Sequence, residues 1–272
     1  MQDLKIALLQ SKIVWEDALQ NHRHFEALLN KLKTQPDLVV LPETFNTGFP
    51  VDASVFSQKP DGPTMRWMAV QAQRLEAVVC GSLLIESKAG FQNTFVWMRP
   101  DGTFATYAKR HVFRMGGEHH SIQPGNNLLT VELKGWKIRP MVCYDLRFPV
   151  WCRNTFDNHE FAYDLLLFVA NWPEARAWPW KQLLIARAIE NQSFVAGLNR
   201  IGKDGLGNNY SGDSCLIDAK GHYIWQAAAH REEIFEATLE PAQLIEFRRK
   251  FQVAADWDAF TLNLTNSTDK FL

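Results

Sequence analysis

Glu43, Lys109 and Cys143 each close an apolar stretch of this sequence. Glu43 follows Leu38-Val39-Val40-Leu41-Pro42, Lys109 ends TFATYAK, and Cys143 ends PMVC ahead of Tyr144-Asp145-Leu146-Arg147-Phe148-Pro149. In α/β proteins ligands bind in the crevice at the carboxyl ends of strands. A thiol, a carboxylate and an amine gathered there supply a nucleophile, a proton shuttle and an oxyanion clamp. A cysteine on a sharp strand-to-helix turn presents its sulfur, and the next backbone N–H can face an oxyanion. A base in the position of Glu43 needs a desolvated carboxyl. Glu118, in MGGEHHS, is a second acid. The flexible Gly116-Gly117 pair lets its loop cover a site, and its carboxylate could orient the amine.

Each residue taken alone has an ordinary alternative. Cys143 reads equally as a small buried hydrophobe. Glu43 reads as a surface or helix-capping acid, Lys109 as part of a solvated KRH turn, and Glu118 as a loop acid. Cys–His chemistry would draw on His111, His119, His120 or His159, but no sequence block supports such a pair. A metal site would draw on His111, Glu118, His119 and His120. Their spacing matches neither H-E-x-x-H nor a Cys/His finger, and adjacent histidines on an extended loop point to opposite sides. No metal and no cofactor are expected.

These residues need elements to position them. Strands are expected at 4–10, 37–43, 78–85 and 93–100, followed by a turn at RPDG and a partner strand in TFATYAKR. LLTVELKGWKIRPMVCY (128–144) reads as a hairpin about Lys134-Gly135, and 164–171 as a buried strand. SFVAGLNRIG, YSGDSCLID, GHYIWQ and EIFEATL complete the strands. Helices are expected over 15–33, 63–76 with Pro63 in the first turn, 178–192, and 241–250 with Pro241 at its start. Hairpins in mid-chain argue against a purely parallel sheet and for two packed sheets covered by helices. No repeat or linker divides the chain, so residues 1–272 read as one domain with an irregular tail from about 254.

The net charge of -1 and pI of about 6.7 give no field for nucleic acid or an anionic membrane. No apolar run reaches the roughly 18 residues of a membrane span. MQDLKIALLQ has no charged leader or cleavage site, which points to the cytoplasm. Cys80, Cys143, Cys152 and Cys215 form no C-x-x-C pair, which argues against a disulfide framework. Cys80 and Cys215, inside strand-like runs, read as buried hydrophobes.

In order and at these intervals, LPETF, KRHVF…GGEHH, CYDLRFP, ANWP and ARAIENQ make the chain resemble the nitrilase superfamily of carbon–nitrogen hydrolases along nearly its whole length. The resemblance implies a four-layer αββα sandwich and a homodimer or larger homo-oligomer built by sheet-to-sheet extension. It also implies Cys143 as nucleophile, Glu43 as general base, Lys109 as oxyanion donor and Glu118 as the second acid. CYDLRFPVWCRN together with RMGGEHH looks most like the bacterial ω-amidases, similar to the vertebrate Nit-type amidases, which hydrolyse 2-oxoglutaramate and related 2-oxo-acid ω-amides. Amides, nitriles, N-carbamoyl amines and deaminated glutathione are the alternative substrates of the same apparatus. A small dicarboxylate monoamide needs a cation opposite its free carboxylate. Arg147, expected to begin a helix at the site mouth, has two readings: a bidentate carboxylate partner, or a structural ion pair with Asp145 or another acid. Tyr144 and Trp172 are expected beside it in the pocket wall.

Overall fold

Alternating side chains along the central strands separate two apolar layers. In Leu4–Gln10, Leu4, Ile6 and Leu8 join one core cluster while Ala7 and Leu9 join another; Leu38 and Val40 part from Val39 and Leu41 in the same way. A strand buried on both faces must be covered on both. The structure, a computed structural model, describes residues 1–50, 52–88 and 90–262.

The first half of the chain supplies β1 (Leu4–Gln10), β2 (Leu38–Val40), β3 (Val78–Ser87), β4 (Gly90–Met98) and β5 (Phe104–Ala108). The second half supplies β6 (Val131–Leu133), β7 (Trp136–Val142), a small hairpin of β8 (Phe156–Asp157) and β9 (Glu160–Phe161), and β10 (Leu165–Ala170). It continues with β11 (Phe194–Asn199), a second small hairpin of β12 (Ile201–Lys203) and β13 (Asn209–Ser211), then β14 (Cys215–Ile217), β15 (Tyr223–Gln226) and β16 (Glu233–Leu239). The helices are α1 (Ala18–Leu29), α2 (Ala53–Phe56), α3 (Pro63–Leu75), α4 (Pro149–Cys152), α5 (Ala177–Asn191) and α6 (Pro241–Lys250).

Among the described residues two six-stranded sheets form, in the orders β16-β1-β2-β3-β4-β5 and β15-β14-β11-β10-β7-β6. On the inner face of the first sheet, Ile6, Val40, Phe95 and Trp97 share a core with Ile138, Leu167 and Val169 of the second, and this core extends to Trp180, Leu184 and Ala188 of α5. The outer face of the first sheet (Leu9, Val39, Leu41, Val79) packs on Phe25 and Leu28 of α1 and Met65 and Met68 of α3. The layers are therefore helix, sheet, sheet, helix, as the hairpins and the resemblance imply. Pairing is parallel through β1-β2-β3 and through β7-β10-β11. Two antiparallel steps, β3 to β4 and β4 to β5, turn β5 back into the direction of β3. The carboxyl ends of β2, β5, β7 and β10 consequently face one side of the sandwich.

Several expected elements are altered. The first helix covers 18–29 rather than 15–33: Asp17 caps it by accepting from the Gln20 N–H at 2.9 Å, and Leu19 lies on its exposed side. The strand expected over 37–43 stops at Val40, where Pro42 follows. SFVAGLNRIG is not one strand. The chain leaves the second sheet after Asn199, and Ile201 begins the small β12–β13 hairpin. YSGDSCLID likewise divides at Gly212, whose φ is +82°. Of the tail, Val253–Asp256 forms a 3₁₀ turn and 257–262 has no regular structure; residues 263–272 lie outside the described residues. Among the described residues no helix is long and apolar enough to cross a membrane.

Candidate active site

β2, β5, β7 and β10 lead into Glu43, Lys109, Cys143 and Asn171 respectively, and these residues line one cavity of about 500 Å³. Glu43 and Lys109 are each 1% exposed, so the solvated-turn and surface-acid alternatives do not hold. Lys109 Nζ lies 3.0 Å from Glu43 Oε1 and 2.9 Å from Glu118 Oε2. Buried charges are tolerated when paired and hydrogen-bonded, and here one cation serves two carboxylates. Asn93 Nδ2 donates to Glu43 Oε1 at 2.7 Å, and the Asn171 N–H donates to Glu43 Oε2 at 2.6 Å. Asn171 Nδ2 donates to the Glu43 carbonyl at 3.0 Å and to Thr44 Oγ1 at 2.7 Å, locking the turn that follows β2.

Cys143 is 8% exposed, and its thiol donates to the Asn171 carbonyl at 3.8 Å. Its φ is +44°, a left-handed conformation that costs energy for a residue with a side chain. Such a turn swings the side chain off the end of β7 into the cavity. Burial, and then the Glu43 charge, push the thiol pKa well up against the opposing pull of Lys109, so the resting sulfur carries its proton. Burial alone would lower the Lys109 pKa, but Glu118 and Glu43 outweigh it and hold the amine charged. Burial raises the Glu118 carboxyl pKa against the Lys109 attraction. The site thus holds a protonated thiol, a fixed cation and two flanking carboxyl groups.

Glu118 arrives on the expected loop, which folds as two 3₁₀ turns, Arg114–Gly116 and Glu118–His120. The Phe113 N–H donates to its carboxylate, and Phe113, Met115 and Gly116 line the cavity mouth. In the second turn the His119 and His120 rings lie 4.0 Å apart rather than pointing to opposite sides, because a 3₁₀ turn replaces the expected extended loop. His111 does not serve the thiol. Its Nδ1 lies 2.8 Å from Asp145 Oδ1, and its ring stacks on Phe148 with centroids 3.6 Å apart.

Asp145 does not pair with Arg147. Its fully buried carboxylate accepts from Tyr107 Oη (2.7 Å), the His111 N–H (3.0 Å) and the Val142 N–H (3.1 Å). These bonds tie the turn after Cys143 to the segment that carries Lys109. Asp145→Asn keeps the shape but replaces one acceptor oxygen by a donor. It is expected to cost about 1–3 kcal/mol of stability and to slow alkylation of Cys143, as urea titration and iodoacetamide labelling would show. Unchanged values in both would remove Asp145 as a staple.

Arg147 closes the 3₁₀ turn Cys143–Arg147, and α4 begins only at Pro149; Phe148 intervenes with φ -112° and ψ 89°, so Arg147 does not begin a helix. Its Cζ lies 4.9 Å over the Trp172 ring, and Tyr144, Arg147 and Trp172 all line the cavity. Cys80, Cys152 and Cys215 are buried and unbridged. Asn93, Asn171, Phe49, Phe113, Arg176, Asp204 and Tyr210 were not among the expected site residues. For Asn171 the signal was present, since it ends an apolar strand just as Glu43 and Cys143 do; Asn93 is a polar residue inside a strand that is otherwise mostly apolar. Arg176 and Asp204 lie on irregular segments with no periodicity to read, and Tyr210 lies in β13, which leaves the second sheet as part of the small β12–β13 hairpin.

Residues 5–249 match the carbon-nitrogen hydrolase family model. The chain is similar to omega-amidase YafV of Escherichia coli strain K12, 46% identical over 262 residues that span 96% of this chain and 100% of that protein. It is 32% identical to the 2-oxoglutaramate amidase of Bacillus subtilis strain 168, over 92% of this chain and 96% of that one. Among solved structures, XC1258 of Xanthomonas campestris, a CN-hydrolase superfamily protein with an arsenic adduct in its active site, superposes with a TM-score of 0.94 at 46% identity, covering 97% and 100% of the two chains.

Proposed function

The chain belongs to the carbon–nitrogen hydrolase family, the nitrilase superfamily, and is a hydrolase of carbon–nitrogen bonds; we propose that it is an ω-amidase that cleaves the terminal amide of small 2-oxo dicarboxylate monoamides such as 2-oxoglutaramate. One observation carries this reading. The thiol, the shared cation and the Glu43 carboxylate line a cavity that also holds Arg147, whose guanidinium has no carboxylate partner among the described residues. The similarity to omega-amidase YafV and to a 2-oxoglutaramate amidase supports it.

In this reading Glu43 takes the Cys143 proton as the sulfur attacks the amide carbon. The tetrahedral oxyanion is stabilised by the Lys109 ammonium, a preorganised charge in a site shielded from water. Glu43 returns the proton to the nitrogen, the C–N bond breaks, and ammonia leaves a thioester on Cys143. Water, deprotonated by Glu43, then cleaves the thioester to release the acid and restore the thiol. Glu118 holds Lys109 in line with the reacting carbon. Arg147 binds the free carboxylate in the bidentate geometry that a guanidinium offers and an ammonium does not.

Ammonia release from 2-oxoglutaramate, glutamine, a simple nitrile and an N-carbamoyl amino acid tests the assignment. The 2-oxo amide should dominate kcat/KM; a nitrile or carbamoyl preference would overturn the ω-amidase reading. Arg147→Lys should raise KM for 2-oxoglutaramate by about tenfold or more and leave an uncharged amide of similar size much less affected. Equal effects on both substrates would reduce Arg147 to a support for its turn.

A further inference from the structure

Among the described residues two guanidiniums, not one, line this cavity without a counterion. Arg176 ends the 3₁₀ turn Glu174–Arg176, just beyond Trp172 and Pro173, and lines the same cavity as Cys143 and Arg147. Its Cζ lies 5.1 Å over the ring of Phe113, as that of Arg147 lies 4.9 Å over Trp172. An aromatic face beneath a guanidinium holds the charge in place through cation–π attraction without occupying its N–H groups. Trp172 is itself anchored: its N–H donates to Asn199 Oδ1 at 2.8 Å, and its Nε1 donates to the Arg176 carbonyl at 2.7 Å. Among the described residues neither guanidinium has an ion-pair partner.

The two acids among the cavity-lining residues cannot serve as that partner. Glu43 is bound to Lys109. Asp204 is saturated: its carboxylate accepts from the Leu206 and Asn208 N–H groups, from Asn208 Nδ2 at 2.9 Å and from Tyr210 Oη at 2.8 Å. Glu174, at the start of the turn, pairs with His230 at 3.1 Å.

We propose that Arg176 is a specificity-determining residue that reads the atom next to the substrate carboxylate, accepting a 2-oxo oxygen and excluding a 2-ammonium. The inference rests on the ω-amidase reading and deepens it. One carboxylate satisfies one guanidinium fork. The second fork then needs an acceptor close to that carboxylate. A 2-oxo group supplies a carbonyl oxygen there. A 2-amino group supplies a cation with three donors and no acceptor, facing two fixed positive charges and no available carboxylate. Discrimination of this kind comes from a repulsive element as much as from an attractive one. A pocket lined only by Arg147 would bind the carboxylate and remain indifferent to the neighbouring carbon.

The test compares kcat/KM of the purified protein and of Arg176→Gln on three ω-amides of equal chain length: 2-oxoglutaramate, glutaramate with an unsubstituted 2-position, and glutamine. Loss of a charge-assisted hydrogen bond should lower kcat/KM for 2-oxoglutaramate by about 10- to 100-fold. The loss on glutaramate should be much smaller, and the preference for the 2-oxo over the 2-amino substrate should shrink. Arg176→Lys, which keeps the charge, should keep most of the exclusion of glutamine. Parallel losses on all three amides, or no change on any, would overturn the proposal, with unaltered thermal unfolding showing that the variant is folded. A wild-type protein that hydrolyses none of the three would instead overturn the ω-amidase reading itself, and the proposal with it.

Discussion

Cys143→Ala is expected to abolish ammonia release, whereas Cys80→Ala and Cys215→Ala should keep most of it. The three thiols are all buried, so burial does not distinguish them. Position does. Cys80 lies inside β3 and Cys215 inside β14, where each fills core volume. Cys143 alone among them lines the cavity, at a left-handed turn beside Glu43. Because its φ of +44° is strained for any residue with a Cβ, Ala inherits the strain and the fold should survive. Cys143→Ser adds a check, since it keeps a hydroxyl in place of the thiol but offers a much weaker nucleophile and leaving group. Substantial turnover by either variant, measured as ammonia, would remove covalent catalysis at this position.

Lys109→Ala should lose at least a factor of about 10²–10³ in kcat, the usual consequence of removing one oxyanion donor. The same substitution leaves Glu43 and Glu118 buried without their shared cation. Two close carboxylates cannot both stay charged cheaply, so one must take up a proton. Part of the loss then reflects disturbance of the site rather than chemistry. The double variant Lys109→Ala/Glu118→Gln separates the two. It removes the unpaired charge, should recover stability in a urea titration, and should remain as slow as the single variant. A double variant restored to near wild-type kcat would show that Lys109 only neutralises Glu118. An effect confined to KM would make Lys109 a substrate-binding cation.

The positions of Glu43, Lys109 and Cys143 were legible because of a simple physical conflict. A charged or reactive residue at the end of an apolar run has either to leave the core or to be used there, and these three stay buried. The layers were legible for a similar reason: β2, β3 and β10 are apolar on both faces, which requires cover on both sides. Asp145 was readable only as a neighbour of Arg147. Its true partners, Tyr107 and His111, lie more than thirty residues away in sequence and meet it only when the sheets pack. Arg176 and Asp204 lie on irregular segments that no periodicity locates. The break at Arg200 was hidden because Ile201 continues an apolar pattern after the chain has left the sheet. There Arg200 turns its side chain inward, and its Nη2 donates to the Ile13 carbonyl at 2.9 Å.

The central claim is that the amide carbon becomes bonded to Cys143, and intact-protein mass spectrometry of acid-quenched turnover tests it most directly. With 2-oxoglutaramate mixed rapidly with the enzyme and quenched before the substrate is exhausted, a fraction of the protein should gain the mass of the product acid less one water. Peptide mapping should place that mass on the Cys143 peptide, hydroxylamine should remove it, and Cys143→Ala should never show it. Ammonia released in full turnover with no adduct at any quench time, or an adduct on a peptide that lacks Cys143, would contradict the account.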